Sequence, residues 1–344
     1  MSRFRSFFIS PGPSVAVELA AGHVSAAEIT TRGQRRVVAA HAIEPLPEGA
    51  VVPSLTATNV HDAAAVTAAL TRVFSRLGTR PGRVALVLPD SIAKVSFVRF
   101  EQVPAQADDL ARLIRWQVRR TAPFSIDEAQ VSWAPGAPQE DGSREFVVTL
   151  ARRAIVEEYE HLCAAAGAQA GVVDLATLNI VNAILAGDSP SRGDWLLVHV
   201  NTGYTSFAIV RDGALIFFRN LLADTEGDLA DVVHQTAMYY EDRLHGAGFV
   251  RIVLSGAALT ADEAAMALQV SPLRGASGQP ADAEPLRRTL EARLGARVET
   301  IDPQPAAALT DRITAGPALL DALAPLVGII AREDRAAFPK EPAA

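Results

Sequence analysis

The chain has 344 residues, 49% of them hydrophobic and 21% charged, with a formal net charge of −7 at pH 7. That length suffices to bury the cores of two or more lobes, and the acidic balance argues against nonspecific nucleic-acid binding, which needs a basic surface to neutralise phosphates, while leaving room for a local basic patch. The single cysteine, Cys163, excludes an intrachain disulfide, and a cytoplasmic setting is the expectation that follows.

The first residues, "MSRFRSFFISPGP", combine two arginines and three phenylalanines without the apolar core of a secretory signal, and read as a tail. Val15 to Leu19 and Val24 to Ile29 are apolar, strand-like runs joined by "AAGH", a hairpin containing Gly22. A third strand follows at about Val37 to Ala42. In "DAAAVTAALTRVFSRLG", Val66, Leu70, Val73, Phe74 and Leu77 recur at helical spacing and Gly78 is the stop. Strands "RVALVLP" and "AKVSFVRF" precede "QADDLARLIRWQVRRTAP", an amphipathic helix. It has Asp108 and Asp109 in its early turns and Arg119 and Arg120 near its end, as the helix dipole favours.

"DEAQVSWAPG" and "REFVVTLAR" form a strand pair around the polar loop "APQEDGS". A helix over about 154–166 leads to "AGVVDLATLNIVNAILAG", a strand running into a helix, with Asp174 as turn or cap residue. "GDSPSRGD" mixes Gly, Pro, Ser and charge without periodicity and marks the clearest boundary. Beyond it, "LLVHVNTGYTSFAIV" repeats the plan of "VAVELAAGHVSAAEI": apolar strand, small-residue turn, apolar strand, then a third strand. "DLADVVHQTAMYYEDRL" is helical, "FVRIVLSGAAL" is a strand ending at Ser255-Gly256, and "SPLRGASGQPADA" reads as a loop. Helix "DAEPLRRTLEARLG", strand "ARVETI" and helix "PALLDALAPLVGIIARE" close the chain; the last is interrupted by Asp321 and prolines and is short for a membrane span.

The turn Asn201-Thr202-Gly203-Tyr204 has the small polar residues whose backbone amides can cradle a phosphate, yet the residue just before it is His199 rather than an acid. A core histidine fits His199 as well as a ligand role does, and Glu18 fits a polar hairpin end. Trp116 and Trp133 read as packing anchors. Arg112, Arg115, Arg119 and Arg120 form a charged helix face, either solvated or meeting an anionic partner or lipid headgroup. The seven histidines show no metal-ligand spacing, and no Gly-x-Ser-x-Gly element is present.

The segments "VALVLPDSIAKVSFVRFEQVP", "LIRWQVRRTAPFSIDEAQVSW", "GVVDLATLNIVNAIL", "LLVHVNTGYTSFAIVRDG" and "RIVLSG" run in one order along residues 15–333. In them the chain resembles the PilM family of type IV pilus assembly proteins, within the actin-like ATPase superfamily. The resemblance implies an α/β, two-lobed actin-like ATPase fold with duplicated βββαβα-type lobes and an inserted small α+β subdomain. Residues 15–192 would form the first lobe, with the insert at about 83–151, and 193–335 the second, between tails 1–14 and 336–344. ATP would be the vestigial ligand, at Glu18, Gly22, Asn201, Thr202, Gly203, Thr205, Ser255 and Gly256.

The family pattern is eroded at those positions. Where the first hairpin usually carries Asp, Gly, serines and Lys, this chain has Glu18, Ala20, Ala21, Gly22, His23 and Ser25; where the second carries Asp and Gly, it has His199 and Asn201. The glycine run after the adenosine-side strand is Ser255-Gly256 followed by Ala257 and Ala258. Imidazole is a poor ligand for the hard cation that bridges ATP phosphates, and loss of positioned charge removes transition-state stabilisation, so no hydrolysis is expected. The resemblance further implies a scaffold on the cytoplasmic side of the inner membrane, in a type IV pilus or related type II secretion machine. Its partner is a PilN-like inner-membrane protein whose N-terminal cytoplasmic peptide sits in a groove beside the insert. The helix carrying Arg112, Arg115, Trp116 and Arg119 would be a wall or support of that groove. The alternatives are an ATP-driven, polymerising actin-like ATPase or a sugar-kinase-branch enzyme, for which no acidic substrate base stands out.

Overall fold

The apolar runs pair into three sheets in the computed structural model, which describes residues 12–33, 35–187, 193–222, 229–256 and 283–336. Most of each expected tail, most of the linker, Ala257, Ala258 and the loop at 271–282 lie outside the described residues. The first sheet has the order β14-β3-β2-β1-β4-β8, from β1 (Val15–Leu19), β2 (His23–Arg32), β3 (Arg35–Pro45), β4 (Arg83–Leu88), β8 (Gln169–Leu175) and β14 (Ala308–Leu309). The second has the order β11-β10-β9-β12-β13, from β9 (Trp195–Asn201), β10 (Tyr204–Arg211), β11 (Ala214–Leu222), β12 (Arg251–Ser255) and β13 (Val298–Thr300). A three-stranded antiparallel sheet, β5-β7-β6, is built from β5 (Ala93–Phe100), β6 (Ala129–Pro138) and β7 (Arg144–Arg152).

The two larger sheets share one plan. In each, three antiparallel strands are followed by two parallel ones: β3-β2-β1 then β4-β8, and β11-β10-β9 then β12-β13. The middle strand of each hairpin set even carries its register shift toward the outer strand, at Glu28/Ile29 and at Ile209/Val210. The repeated strand–turn–strand sequence plan is thus a repeat of topology.

The strands alternate sides, and helices cover both faces. On β1, Val15, Val17 and Leu19 pack with α1 (Ala63–Leu77) and α3 (Arg153–Ala165), whereas Ala16 faces α4 (Ala176–Gly187) and the C-terminal α7 (Pro317–Ala336). On β9, Trp195 and Leu197 meet α4 and α7 from the other side, and Leu196 and Val198 face α5 (Leu229–Leu244) and α6 (Ala283–Leu294). Helices α4 and α7 are therefore the filling between the two sheets. A Cβ on Gly328 of α7 would lie 1.7 Å from the Asn179 carbonyl oxygen of α4, so the helices approach this closely only because residue 328 has no side chain.

Local signals set the element ends. Asp62 caps α1 by accepting from the Ala65 N–H at 2.9 Å, and Gly78 ends it in the left-handed conformation at φ 70°. The expected insert of 83–151 begins later than the sequence suggested, because β4 pairs parallel with β1 and β8 in the six-stranded sheet, and the small sheet starts only at β5. The chain also leaves the second sheet before its end. Strand β14 pairs with β3 and α7 packs on the first sheet, so the expected second-lobe span of 193–335 returns to the first lobe over its last part. Among the described residues no helix is long and apolar enough to cross a membrane.

Candidate functional site

Strands β1 and β4 of one sheet and β9 and β12 of the other end at the same edge of the α4/α7 layer, the position at which open α/β sheets bind ligands. The side chains that meet there are polar and buried: Glu18, Asp90, Thr177, His199, Ser206, Ser255 and Asp321. Asp90, in a 3-10 turn just after β4, accepts from the Thr177 N–H at 3.1 Å, from the Thr177 hydroxyl, and across the layer from the Ser206 hydroxyl of β10 at 2.6 Å. Ser206 in turn accepts from Asn220 of β11 at 2.9 Å. Burial holds the Asp90 carboxyl above the ordinary aspartate value, against the opposing pull of His199 and of these donors.

A second chain of bonds crosses from α7. Ser255 donates its hydroxyl proton to Asp321, and the Gly256 N–H donates to the other oxygen of the same carboxylate. With that proton committed, Ser255 Oγ accepts from His199 Nδ1 at 3.3 Å, which leaves His199 Nε2 facing the Asn201 amide at 3.4 Å. Asn201 also donates to the Tyr204 hydroxyl at 3.2 Å and accepts from the Thr202 N–H at 2.7 Å. Burial raises Asp321, opposed by Ser255, His199 and Gly256 and reinforced by the nearby Glu18; burial with the Asp90 and Glu18 charges pushes Tyr204 well up. Glu18 itself accepts from Ser25 at 3.2 Å and lies 3.8 Å from His23 Nε2.

Two donors expected to face a nucleotide are engaged within the chain instead. A phosphate site uses free N–H and hydroxyl donors, with positive charge supplied by side chains or by a cation that carboxylates help to hold. Here the Gly256 N–H and the Ser255 hydroxyl are taken by Asp321, and the network just described contains three carboxylates and no Lys or Arg. Gly256 is also pressed against β9: its φ is +80° and a Cβ there would meet the Val200 carbonyl oxygen at 1.7 Å.

The remaining expected positions are dispersed. Gly22 sits in the β1–β2 turn, where its carbonyl accepts from the Leu46 N–H at 2.9 Å. Thr202 and Gly203 are exposed at the β9–β10 turn, Gly203 with φ +89°. Thr205 shares the face of Phe207 and Ile209, which pack toward α5 and α6, so its neighbours Tyr204 and Ser206 are the ones that meet the network. Sequence reasoning missed Asp90, Thr177 and Ser206, counted Tyr204 only as part of the turn, and noted Asp321 only as a break in an apolar helix. Their common signal is a polar side chain on an otherwise apolar strand end or helix face.

A groove of about 400 Å³ lies elsewhere, between the small sheet and the first lobe. Gln130 and Ser132 of β6 and Thr149 and Ala151 of β7 form one side; α3, through Arg153, Val156, Glu157 and Glu160, and residues 170–175 of β8 form the other. Among the described residues, β6 is an edge of its sheet and β8 an edge of the six-stranded one, and both strands contribute to the groove.

Helix α2 (Ala107–Arg119) is not among the groove's lining. Alternation puts Ala129, Val131 and Trp133 of β6 and Phe146, Val148 and Leu150 of β7 on the opposite face, where they pack with Ile114 and Val118 of α2. The helix thus backs the sheet that the groove uses. Arg115 donates to the Ile126 carbonyl at 2.7 Å, Arg112 pairs with Asp109, and Trp116 and Arg119 are exposed. Of the two expected positions, wall or support, the packing places this helix behind the sheet, because its apolar stripe is spent on the far side.

A family model described as type IV pilus assembly protein PilM matches residues 16–229. Among solved structures, the PilM-PilN type IV pilus biogenesis complex aligns with a TM-score of 0.74 at 16% identity, covering 96% of this chain and 100% of that one. A Bacteroides thetaiotaomicron protein with actin-like ATPase fold and unknown function aligns at 0.47, with 10% identity over 93% and 98% of the two chains. The cytoplasmic domain of EpsL, an inner membrane component of the type II secretion system of Vibrio cholerae, aligns at 0.44, with 10% identity over 70% and 80%. The duplicated sheets with the inserted small one form an actin-like ATPase fold.

Proposed function

The chain belongs to the PilM family of type IV pilus assembly proteins, and from that premise we propose that it is an adaptor without ATPase activity, holding an extended segment of a membrane-anchored partner. The observation that carries the reading is the groove lined in part by β6 and β8, which are edge strands of their sheets among the described residues. An edge strand offers unpaired backbone N–H and C=O groups, so an extended peptide gains main-chain hydrogen bonds there while alternate side chains enter the groove. The partner this favours is the N-terminal cytoplasmic peptide of a PilN-like inner-membrane protein, and the chain would then be peripheral to the inner membrane on its cytoplasmic side. The PilM-PilN complex supports this choice, since its fold covers nearly the whole of this chain.

The eroded nucleotide positions support the adaptor over the ATPase. The carboxylate of Asp321 satisfies the Ser255 and Gly256 donors, and His199 stands where the family hairpin carries an acid. ATP is then at most a vestigial ligand.

Titration calorimetry with a synthetic peptide from the cytoplasmic N-terminus of the PilN-like protein encoded with this chain tests the adaptor. Wild type should bind. Ser132→Trp, which fills the groove from an exposed position, should abolish binding, and Arg115→Glu, on the far face of the sheet, should leave it within about twofold, as surface changes away from a contact do. No binding by wild type, or full binding by Ser132→Trp, overturns the assignment.

A further inference from the structure

The outer face of α2 is unlike the rest of this acidic chain. Arg112, Trp116, Arg119 and Arg120 stand at i, i+4, i+7 and i+8, and so share one side of the helix. That side is opposite Ile114 and Val118, which are buried against the small sheet. All four are exposed, Trp116 at 65%. From Ala107 to Arg120 four arginines face two acids, Asp108 and Asp109, whereas the whole chain carries −7. Both acids lie in the first turn, one of them paired with Arg112, so the positive charge collects at the C-terminal end. There Lys94 joins it by donating to the Thr121 carbonyl at 2.7 Å. Asp127, exposed on the turn after the helix, is the nearest acid in sequence beyond it that is not ion-paired in the way Glu128 is with Arg152.

We propose that this face is a contact surface for anionic lipid headgroups, with Trp116 entering the headgroup zone and Arg119 and Arg120 meeting lipid phosphates and carboxylates. Tryptophan suits that zone because one part of its ring system is apolar and its N–H can stay wet. Arginines beside an anionic leaflet each gain attraction that falls off within a Debye length. An acidic protein is the competing occupant. A stable protein interface, however, needs roughly 800 Å² per side with an apolar centre, and on this face one aromatic ring stands among guanidinium groups. The surface is separate from the groove and does not depend on a peptide partner; the groove and this face lie on opposite sides of the small sheet.

The full chain should be mixed at low salt with vesicles of phosphatidylcholine alone or with about 40% phosphatidylserine, and followed by co-sedimentation and tryptophan emission. Trp195 is buried and Trp133 half-buried, so a blue shift reports Trp116. Binding and a blue shift are expected with the anionic vesicles only. Arg119→Glu/Arg120→Glu should weaken partitioning at least about twentyfold, given roughly fivefold per arginine, and Trp116→Phe should bind within a few-fold while losing the shift. Circular dichroism checks that the variants are folded. The proposal fails if anionic vesicles neither sediment the chain nor shift its emission, if the double charge reversal binds as well as wild type, or if α2 is protected from hydrogen exchange by the peptide partner but not by vesicles.

Discussion

Replacing Asp90 by alanine tests whether the two sheets are joined by the bonds that cross the α4/α7 layer. The carboxylate serves the Thr177 N–H, the Thr177 hydroxyl and the Ser206 hydroxyl, all buried. The hydroxyls can turn to other acceptors, and Ser206 keeps its bond from Asn220, but the Thr177 N–H cannot. An unsatisfied buried donor costs about 1–3 kcal/mol and each lost bond to a charged group about 1.5–3, while removing a buried carboxylate returns part of its desolvation cost. We therefore expect a net loss of about 3 kcal/mol. At an unfolding entropy of about 2.1 cal/mol/K per residue, a chain of 344 residues loses about 4 °C in melting temperature. Asp90→Asn keeps an acceptor for the Thr177 N–H and should lose less than about 1 kcal/mol. Scanning calorimetry of both variants and of Ser206→Ala, with the double variant Asp90→Ala/Ser206→Ala, gives the coupling between the sheets, expected at about 1 kcal/mol or more for residues that share a bond. Strict additivity, or an alanine variant melting within about 1 °C of wild type (a few tenths of the expected loss), refutes the bridging role of Asp90.

Other outcomes follow from the same geometry. Gly328→Ala puts a Cβ 1.7 Å from the Asn179 carbonyl and must part α4 from α7; a loss of about 3 kcal/mol or more is expected, measured by thermal melting. Burial raises Asp321 and Asp90 above 3.8 in the folded chain, so the folded state holds protons the unfolded chain has released. Their contribution is most favourable at low pH and declines as pH rises from the ordinary aspartate range through the folded values. Accordingly the melting temperature of Asp321→Asn relative to wild type should increase from pH 4.5 to pH 8, and a difference independent of pH contradicts the buried carboxylate. Purified protein with magnesium and ATP should release phosphate at the background rate; turnover that responds to Asp90→Asn would overturn the adaptor reading.

The sequence by itself determined the elements. The short apolar runs "VALVL" and "LLVHV", the 3.6-residue stripe ending at Gly78 and the turn residues at Gly22 and Gly203 act within a few residues of chain, so they are legible locally. The duplicated strand plan was legible too, because each sheet is built from consecutive hairpins. What only the tertiary structure decided is which distant pieces meet. Strands β4 and β5 follow each other closely in the chain, but β4 joins β1 and β8 while β5 joins β7, and pairing partners are chosen by packing across the sheet, not by strand propensity. Helix α2 shows its apolar stripe in sequence, but not that this stripe faces away from the groove. The polar centre was the least legible of all. Asp90, Thr177, Ser206, Ser255 and Asp321 are separated by up to 231 positions in the chain, and each alone is an ordinary polar residue. Their burial is tolerable only because each supplies the bond another lacks, a condition that exists once the two sheets close on α4 and α7.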